Sequence, residues 1–165
     1  MQKAVFLDRD GVINSDEGRY YVHREEDFVL TPQLGEQLKA LQEAGFLLIV
    51  ISNQGGVARG VYGVQEVERL NSLLRGQMAK HGVQLTEFYT CPHHPDFGKC
   101  LCRKPLPLLV QKALARFDVD PSRSYFIGDR ESDMETARSA GVKGLLVKRN
   151  AGIAGAVEEI LAAGG

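Results

Sequence analysis

The sequence has almost no net charge, few cysteines and no long apolar run, and each scarcity removes a class of function. Twenty Lys and Arg against 21 Asp and Glu leave a formal net charge of −1 over 165 residues. An extended nucleic-acid interface shows as a basic excess or stripe, so this balance argues against one. The longest uninterrupted apolar run, Phe46 to Ile51, is far short of the ~20 residues that span a bilayer. The chain reaches Asp8 too early for the apolar region of a signal peptide. The expectation is a cytoplasmic protein without membrane partners. Three cysteines are an odd number, and all fall between Cys91 and Cys102. In a reducing compartment such clustering favours metal binding over a disulfide framework. Internal repeats, linkers and low-complexity segments are also missing. One domain, residues 1–165, is expected, large enough to bury roughly two thirds of its unfolded surface.

What is present is an alternation of strand and helix signals. Ala4 to Leu7 reads as a short buried strand that stops at Asp8-Arg9-Asp10-Gly11. A polar stretch from Asn14 to Leu30 is long for a loop inside a compact domain, and such loops are often functional. Thr31-Pro32 supplies an N-cap and a proline for the first helical position, with Leu34, Leu38 and Leu41 at i, i+4, i+7 before Gly45. Phe46 to Ile51 is a second strand, ending in Ser52-Asn53-Gln54-Gly55-Gly56, and Gln65 to Lys80 a second helix with Val67, Leu70, Leu74 and Met78 on its apolar face. Val83 to Thr90 reads as the third strand, Pro107 to Phe117 as a helix, Ser124 to Ile127 as the fourth strand and Ser132 to Ala140 as a short helix. Gly144 to Val147 is the fifth strand and Ala156 to Ala162 a terminal helix. This order predicts a doubly wound, Rossmann-like α/β domain with a single parallel sheet.

Ligands of such sheets bind beyond the carboxyl ends of the strands. Asp8 and Asp10 follow the first strand, Ser52 and Asn53 the second, Asp129 the fourth. Two carboxylates side by side call for a hard cation or a shared proton. A hydroxyl, a lysine and several carboxylates with Mg2+ suit phosphoryl transfer, in which positioning and charge stabilisation supply most of the catalysis. Asp8, Asp129 and the backbone oxygen of Asp10 would ligate the cation. A carboxylate can attack phosphorus, and Asp10, protonated at the start, could give its proton to the leaving alcohol and then activate the hydrolytic water.

The segment from Cys91 to Cys102 holds a second constellation. Cys91-Pro92-His93 and Cys100-Leu101-Cys102 each place alternate side chains on one side of an extended strand of chain, so four N and S ligands can converge on a tetrahedral zinc. His94 could replace His93, but the alternation with Cys91 favours His93. With no open ligand position the site would be structural, holding the loop that presents Arg103 and Lys104. His23 and His81 have no comparable partners and read as surface residues.

Asp8-Arg9-Asp10-Gly11, Ser52-Asn53, Lys104 and Gly128-Asp129-Arg130-Glu131-Ser132-Asp133 resemble, in order and across nearly the whole chain, the four motifs of the haloacid-dehalogenase superfamily of aspartyl-phosphate phosphatases. The resemblance implies that Asp8 is the nucleophile and Asp10 the general acid/base. It further implies that Ser52 and Lys104 hold the transferred phosphoryl oxygens and that Asp129 completes the magnesium site. Asp133 is either an orienter of Lys104 or a solvated helix charge. Leu7 to Gly11, Ser52 to Gly60, the cysteine loop and Cys102 to Pro105 are similar to the heptose-1,7-bisphosphate 7-phosphatases, with histidinol-phosphatases as relatives carrying the same loop. In that group the neighbourhood of Asp16, Asn53, Gln54, Gly55, Arg103 and Arg130 contacts the substrate, a small phosphorylated sugar. Arg103 could grip a second phosphate through its planar fork.

Ser52 and Val12 stand where threonine is more usual, Arg130 where lysine is often found, and the first loop carries extra residues at Arg19-Tyr20-Tyr21. Ser52 keeps the hydroxyl, so these departures bear on substrate and anomer rather than on chemistry. No separate cap domain fits the length, and a monomer is expected, its site covered by the first loop, the Gly55 to Gly63 segment and the cysteine loop. A signalling receiver domain, a non-enzymatic alternative, would carry its phosphoacceptor aspartate after the third strand, where this chain has Thr90-Cys91.

Overall fold

The structure, a computed structural model, describes residues 1–164. The chain starts in β1 (Lys3–Leu7), then forms a two-residue hairpin from β2 (Asn14–Ser15) and β3 (Val29–Leu30) within the polar stretch that reads as loop. It continues through α1 (Leu34–Glu43), β4 (Phe46–Asn53), α2 (Val64–Ala79), β5 (Glu87–Cys91) and α3 (Leu108–Arg116). The remainder is β6 (Tyr125–Gly128), α4 (Glu131–Ala140), β7 (Lys143–Leu146) and α5 (Ala154–Ala162). Five strands pair in parallel in the order β5-β4-β1-β6-β7. The chain leaves β1 on one side for β4 and β5, then returns to the other side for β6 and β7, so the switch in direction lies at β1. That is where a crevice opens in sheets of this kind.

The alternation of side chains along each strand divides the core in two. Val5, Leu7, Leu48, Val50 and Ile127 pack with Leu34, Leu38 and Leu41 of α1, Leu70 and Leu74 of α2, and Val157 and Ile160 of α5. Ala4, Phe6, Ile49, Ile51 and Phe126 face Leu109, Val110 and Ala113 of α3 and Ala137 of α4. Both faces of the sheet are covered, as the near-continuous apolar strands require.

Two local expectations are corrected. Thr31 does not cap α1: its hydroxyl donates to the carbonyls of Val12 (2.8 Å) and Ile13 (3.2 Å), and its amide to Ile13, so Thr31 anchors the hairpin to the loop after β1. The helix begins three residues on, behind Gln33 with φ of 58°. The third strand begins at Glu87 rather than Val83, because Val83 and Leu85 fill the core beneath α2 while the ladder to β4 opens only at the Ile49–Glu87 pair.

Candidate active site

The carboxyl end of β1 runs straight into the site. Asp8 still lies in the sheet, its amide donating to the Ile127 carbonyl of β6 at 3.2 Å. The chain then folds tightly around the Arg9 carbonyl, which accepts from the amides of Val12, Ile13 and Asn14. Gly11 has φ of 90°, and a Cβ there would run into the Asp129 carboxylate. Only glycine allows the first loop and the end of β6 to approach this closely.

Lys104 comes from the far side of the cysteine loop and is 4 % exposed. Its Nζ lies 2.9 Å from Asp8 Oδ1 and 2.8 Å from Asp133 Oδ1, and it donates to the Ile51 carbonyl at 3.0 Å. Burial alone would push this ammonium down, but Asp8 and Asp133 outweigh it and hold it charged. Asn53 fixes the lysine's backbone in both directions, accepting from its amide and donating to its carbonyl. Asp133, 1 % exposed, also accepts the amides of Asp129 and Arg130. It therefore orients Lys104 and the turn opening α4; the reading as a solvated helix charge is overturned.

Asp8, Asp129 and Asp133 bring oxygens within 4.8 Å of one another, three carboxylates against the one ammonium of Lys104. Both oxygens of Asp129 are buried with no hydrogen-bond partner. Burial raises Asp8, Lys104 opposes it, and Asp133 and Asp129 add to the rise, leaving the carboxyl pushed up to about 8. Burial and Asp133 raise Asp129 as well. Uncompensated buried anions with free oxygens are what a hard cation satisfies, so this donor set fits Mg2+. Because Asp8 titrates higher in the fold than in the unfolded chain, the metal-free fold loses stability as pH rises from about 4 towards 8. Saturating Mg2+ is therefore expected to raise the melting temperature more at pH 8 than at pH 5. Calorimetry showing equal shifts at the two pH values would contradict a carboxylate-bound cation.

Asp10 turns the other way. Its Oδ1 accepts from Arg9 Nη2 (2.8 Å) and Asn14 Nδ2 (3.0 Å), its Oδ2 from Gln54 Nε2 (2.9 Å). Burial would raise this carboxyl, but Arg9, Asn14 and Gln54 together hold it below the usual range. The flanking Arg9, drawn inward to 1 % exposed, pairs with Asp10 and favours its ionised form in the substrate-free site, against the protonated starting state expected from the sequence. Ser52 is buried, and its Oγ accepts from Gln54 Nε2 at 2.7 Å.

Asp8, Asp10, Lys104 and Asp133 form one wall of a cavity of about 610 Å³, also lined by Asp16, Asn53, Gly55, Arg103 and Arg130, with Ser52, Gln54 and the Asp129 carboxylate oxygens buried behind it. A Cβ on Gly55 would press on Arg103 Nη1 at 3.1 Å, and Arg103 donates to the His93 carbonyl at 3.0 Å. Two further arginines reach the cavity, Arg19 and Arg149. The Asp16 carboxylate is engaged by Arg149, whose Nε donates to Oδ1 at 2.8 Å while Nη2 donates to Oδ2, and the amide of Asp16 donates to Asn150. Reasoning from the sequence missed Arg149 although it follows the end of β7, the position that singled out Asp8, Ser52 and Asp129.

The cysteine loop gathers Cys91, His93, Cys100 and Cys102 with all four ligand atoms within 4.8 Å of one another. His93 Nδ1 lies 3.4 Å from Cys91 Sγ and 3.2 Å from Cys102 Sγ. His94 is not in the group: its Nδ1 accepts from the Asp96 amide and its ring lines the cavity. Three thiols and an imidazole at this spacing match the donor set of a closed zinc site. Cys91 is the last residue of β5, and its carbonyl accepts from the Gln54 amide at 2.8 Å, so the cluster is tied directly to the turn that follows Ser52 and Asn53 at the end of β4.

A family model described as HAD-hydrolase-like matches residues 101–162. D-glycero-beta-D-manno-heptose-1,7-bisphosphate 7-phosphatase from Haemophilus ducreyi is 41% identical over 148 residues, covering 86% of this chain and 80% of the relative. D-glycero-D-manno-heptose-1,7-bisphosphate 7-phosphatase from Chlorobaculum tepidum is 41% identical over 157 residues, covering 88% and 78%. Among solved structures, D,D-heptose 1,7-bisphosphate phosphatase from B. bronchiseptica, complexed with magnesium and phosphate, superposes with a TM-score of 0.83. It is 30% identical and covers 100% of this chain and 88% of that one.

Proposed function

The chain belongs to the heptose-1,7-bisphosphate 7-phosphatase family of haloacid-dehalogenase-like phosphatases, and on that premise we propose that it removes the 7-phosphate of D-glycero-D-manno-heptose 1,7-bisphosphate through an aspartyl phosphate on Asp8. The observation that carries this reading is the cavity itself, with Asp8 and Lys104 on one wall and Arg103 and Arg130, neither paired with a carboxylate among the described residues, available to a second anionic group, while Arg19 and Arg149 reach the cavity already paired with Asp27 and Asp16. A monophosphate leaves those cations unmatched; a bisphosphate does not.

Lys104, held by Asp8, Asp133 and Asn53, sets the phosphoryl group against the Asp8 carboxylate. Ser52, whose Oγ already accepts from Gln54, donates its proton to a phosphoryl oxygen. Asp8 forms a bond to phosphorus as the bond to the sugar's C7 oxygen breaks, and Asp10 gives its proton to that oxygen. The incoming phosphate adds negative charge beside Asp10 and so favours the protonated form that the empty site disfavours. Asp10 then takes a proton from the water that hydrolyses the acyl phosphate. Asp8 and Asp129, with the Asp10 backbone oxygen, would hold Mg2+, which neutralises charge between the attacking carboxylate and the phosphate. Cys91, His93, Cys100 and Cys102 would hold a structural Zn2+ that closes the loop presenting Arg103 and Lys104.

Asp16, Asn53, Gly55, Arg103 and Arg130 serve in this reading as the sugar-phosphate wall, whereas Gln54, expected there from the sequence, is buried behind it on Asp10 and Ser52. The protein acts as one domain, a monomer in the cytoplasm with neither nucleic acid nor membrane as partner. The net charge is −1, and among the described residues no helix is long and apolar enough to cross a membrane. Turnover of heptose 1,7-bisphosphate and of histidinol phosphate, measured side by side with Mg2+, tests the substrate. A kcat/KM about ten- to 150-fold higher for the bisphosphate is expected, since one lost charge-assisted pair costs about 1.5–3 kcal/mol. A preference for histidinol phosphate would overturn the assignment.

A further inference from the structure

Tyr62 lies outside the cavity wall, in the turn between β4 and α2, and is 7 % exposed. Its ring covers Gly56 so closely that a Cβ there would overlap it. The first loop rests on the other side: His23 stacks on the ring with centroids 5.0 Å apart and planes 6° from parallel, and Tyr21 meets it edge-on at 5.7 Å. The phenol donates to Gln54 Oε1, and Gln54, 2 % exposed, donates through Nε2 to both Asp10 Oδ2 (2.9 Å) and Ser52 Oγ (2.7 Å).

The donor and acceptor chemistry of this chain allows one arrangement. Asp10 Oδ1 accepts from Arg9 and Asn14 and its Oδ2 accepts from Gln54 Nε2, so the NH2 end of Gln54 faces Asp10 and the carbonyl end faces Tyr62. The phenol is the donor that holds that carbonyl. Remove it and the buried amide has no partner on one end, and both of its donations lose their fixed direction.

We propose that Tyr62 is a positioning residue of the phosphatase: through Gln54 it locks Asp10 in line with the departing oxygen. Tyr20 and Tyr21 of the first loop line the cavity, so the surface that receives the substrate bears on the same ring that aligns the acid. The inference rests on the assignment of Asp10 as general acid under the proposed function and deepens it.

Tyr62→Phe keeps the ring and removes only the hydroxyl. Protonation by Asp10 matters for a sugar alkoxide and hardly at all for a 2,4-dinitrophenolate, which departs without it. With heptose 1,7-bisphosphate, kcat/KM of Tyr62→Phe is expected to fall about tenfold at unchanged KM, while kcat/KM with 2,4-dinitrophenyl phosphate, which reports formation of the aspartyl phosphate and not the later step in which Asp10 is the base, stays within about twofold. In a Gln54→Leu background the same substitution should cost nothing further, because its route to the site is gone. Histidinol phosphate supplies the poor leaving group if the wild type does not turn over the heptose, which separates failure of the substrate assignment from failure of this one. Equal losses on both leaving groups, a rise in KM alone, additive losses with Gln54→Leu, or no change would overturn the proposal. Thermal melting of Tyr62→Phe guards the reading, since a merely structural loss lowers the active fraction for every substrate alike.

Discussion

Asp8→Asn is expected to reduce phosphatase turnover by about four orders of magnitude or more, as removal of a covalent nucleophile does elsewhere, while leaving the fold at least as stable. The second half of that expectation follows from the charge balance at the site. Asp8 is one of three carboxylates facing a single Lys104, and burial pushes its carboxyl up to about 8. An amide of the same shape removes the repulsion and keeps an oxygen for the lysine. Metal-free Asp8→Asn protein should therefore melt at or above the wild-type temperature at neutral pH, with a smaller gain on adding Mg2+. Turnover within about a hundredfold of wild type would remove Asp8 from the nucleophile's role. A variant that simply fails to fold would contradict the charge argument.

Cys100→Ser and Cys91→Ser are expected to take the protein from equimolar zinc to none and to lower its stability by several kcal/mol, since a structural zinc contributes on the order of 10 kcal/mol to the fold around it. The two variants separate metal loss from packing. Cys91 is fully buried against the core beside Ile49, Ile51 and Val110, whereas Cys100 is half-buried and only packs against that cluster. A serine at Cys100 thus reports the metal with little change in the core. Activity should fall with the zinc, because the loop carries Arg103 and Lys104 and its first cysteine is bonded through its carbonyl to Gln54. Elemental analysis of protein purified without chelator gives the metal content. Zinc-free wild type, or Cys100→Ser with an unchanged melting temperature, would refute the structural zinc.

The parallel sheet was legible because its strands are short apolar runs bounded by polar residues, and because α1 and α2 repeat leucines on one face. Asp8, Asp10, Ser52 and Asp129 could be singled out by a topological rule that needs only strand ends. The same rule reached Lys104 and Asp133 only through the resemblance, since neither follows a strand, and their pairing at 2.8 Å depends on how the cysteine loop folds back over α4. Thr31 misled because a threonine before a proline has the same signature whether it caps a helix or anchors a hairpin; the choice depends on the carbonyls of Val12 and Ile13, which sequence does not place. Arg9, buried on Asp10, and Tyr62, bonded to Gln54, are not singled out in the sequence at all. Such residues act through contacts between distant segments, and no local pattern announces them.

The identity of the phosphate that leaves defines the reaction. Phosphorus-31 NMR of heptose 1,7-bisphosphate incubated with the protein and Mg2+ reads this directly, since the sugar's 1- and 7-phosphates give separate resonances. Loss of the 7-phosphate signal, growth of inorganic phosphate in step with it and a retained 1-phosphate are the predicted result. Loss of the 1-phosphate instead, or a spectrum that does not change, would contradict it.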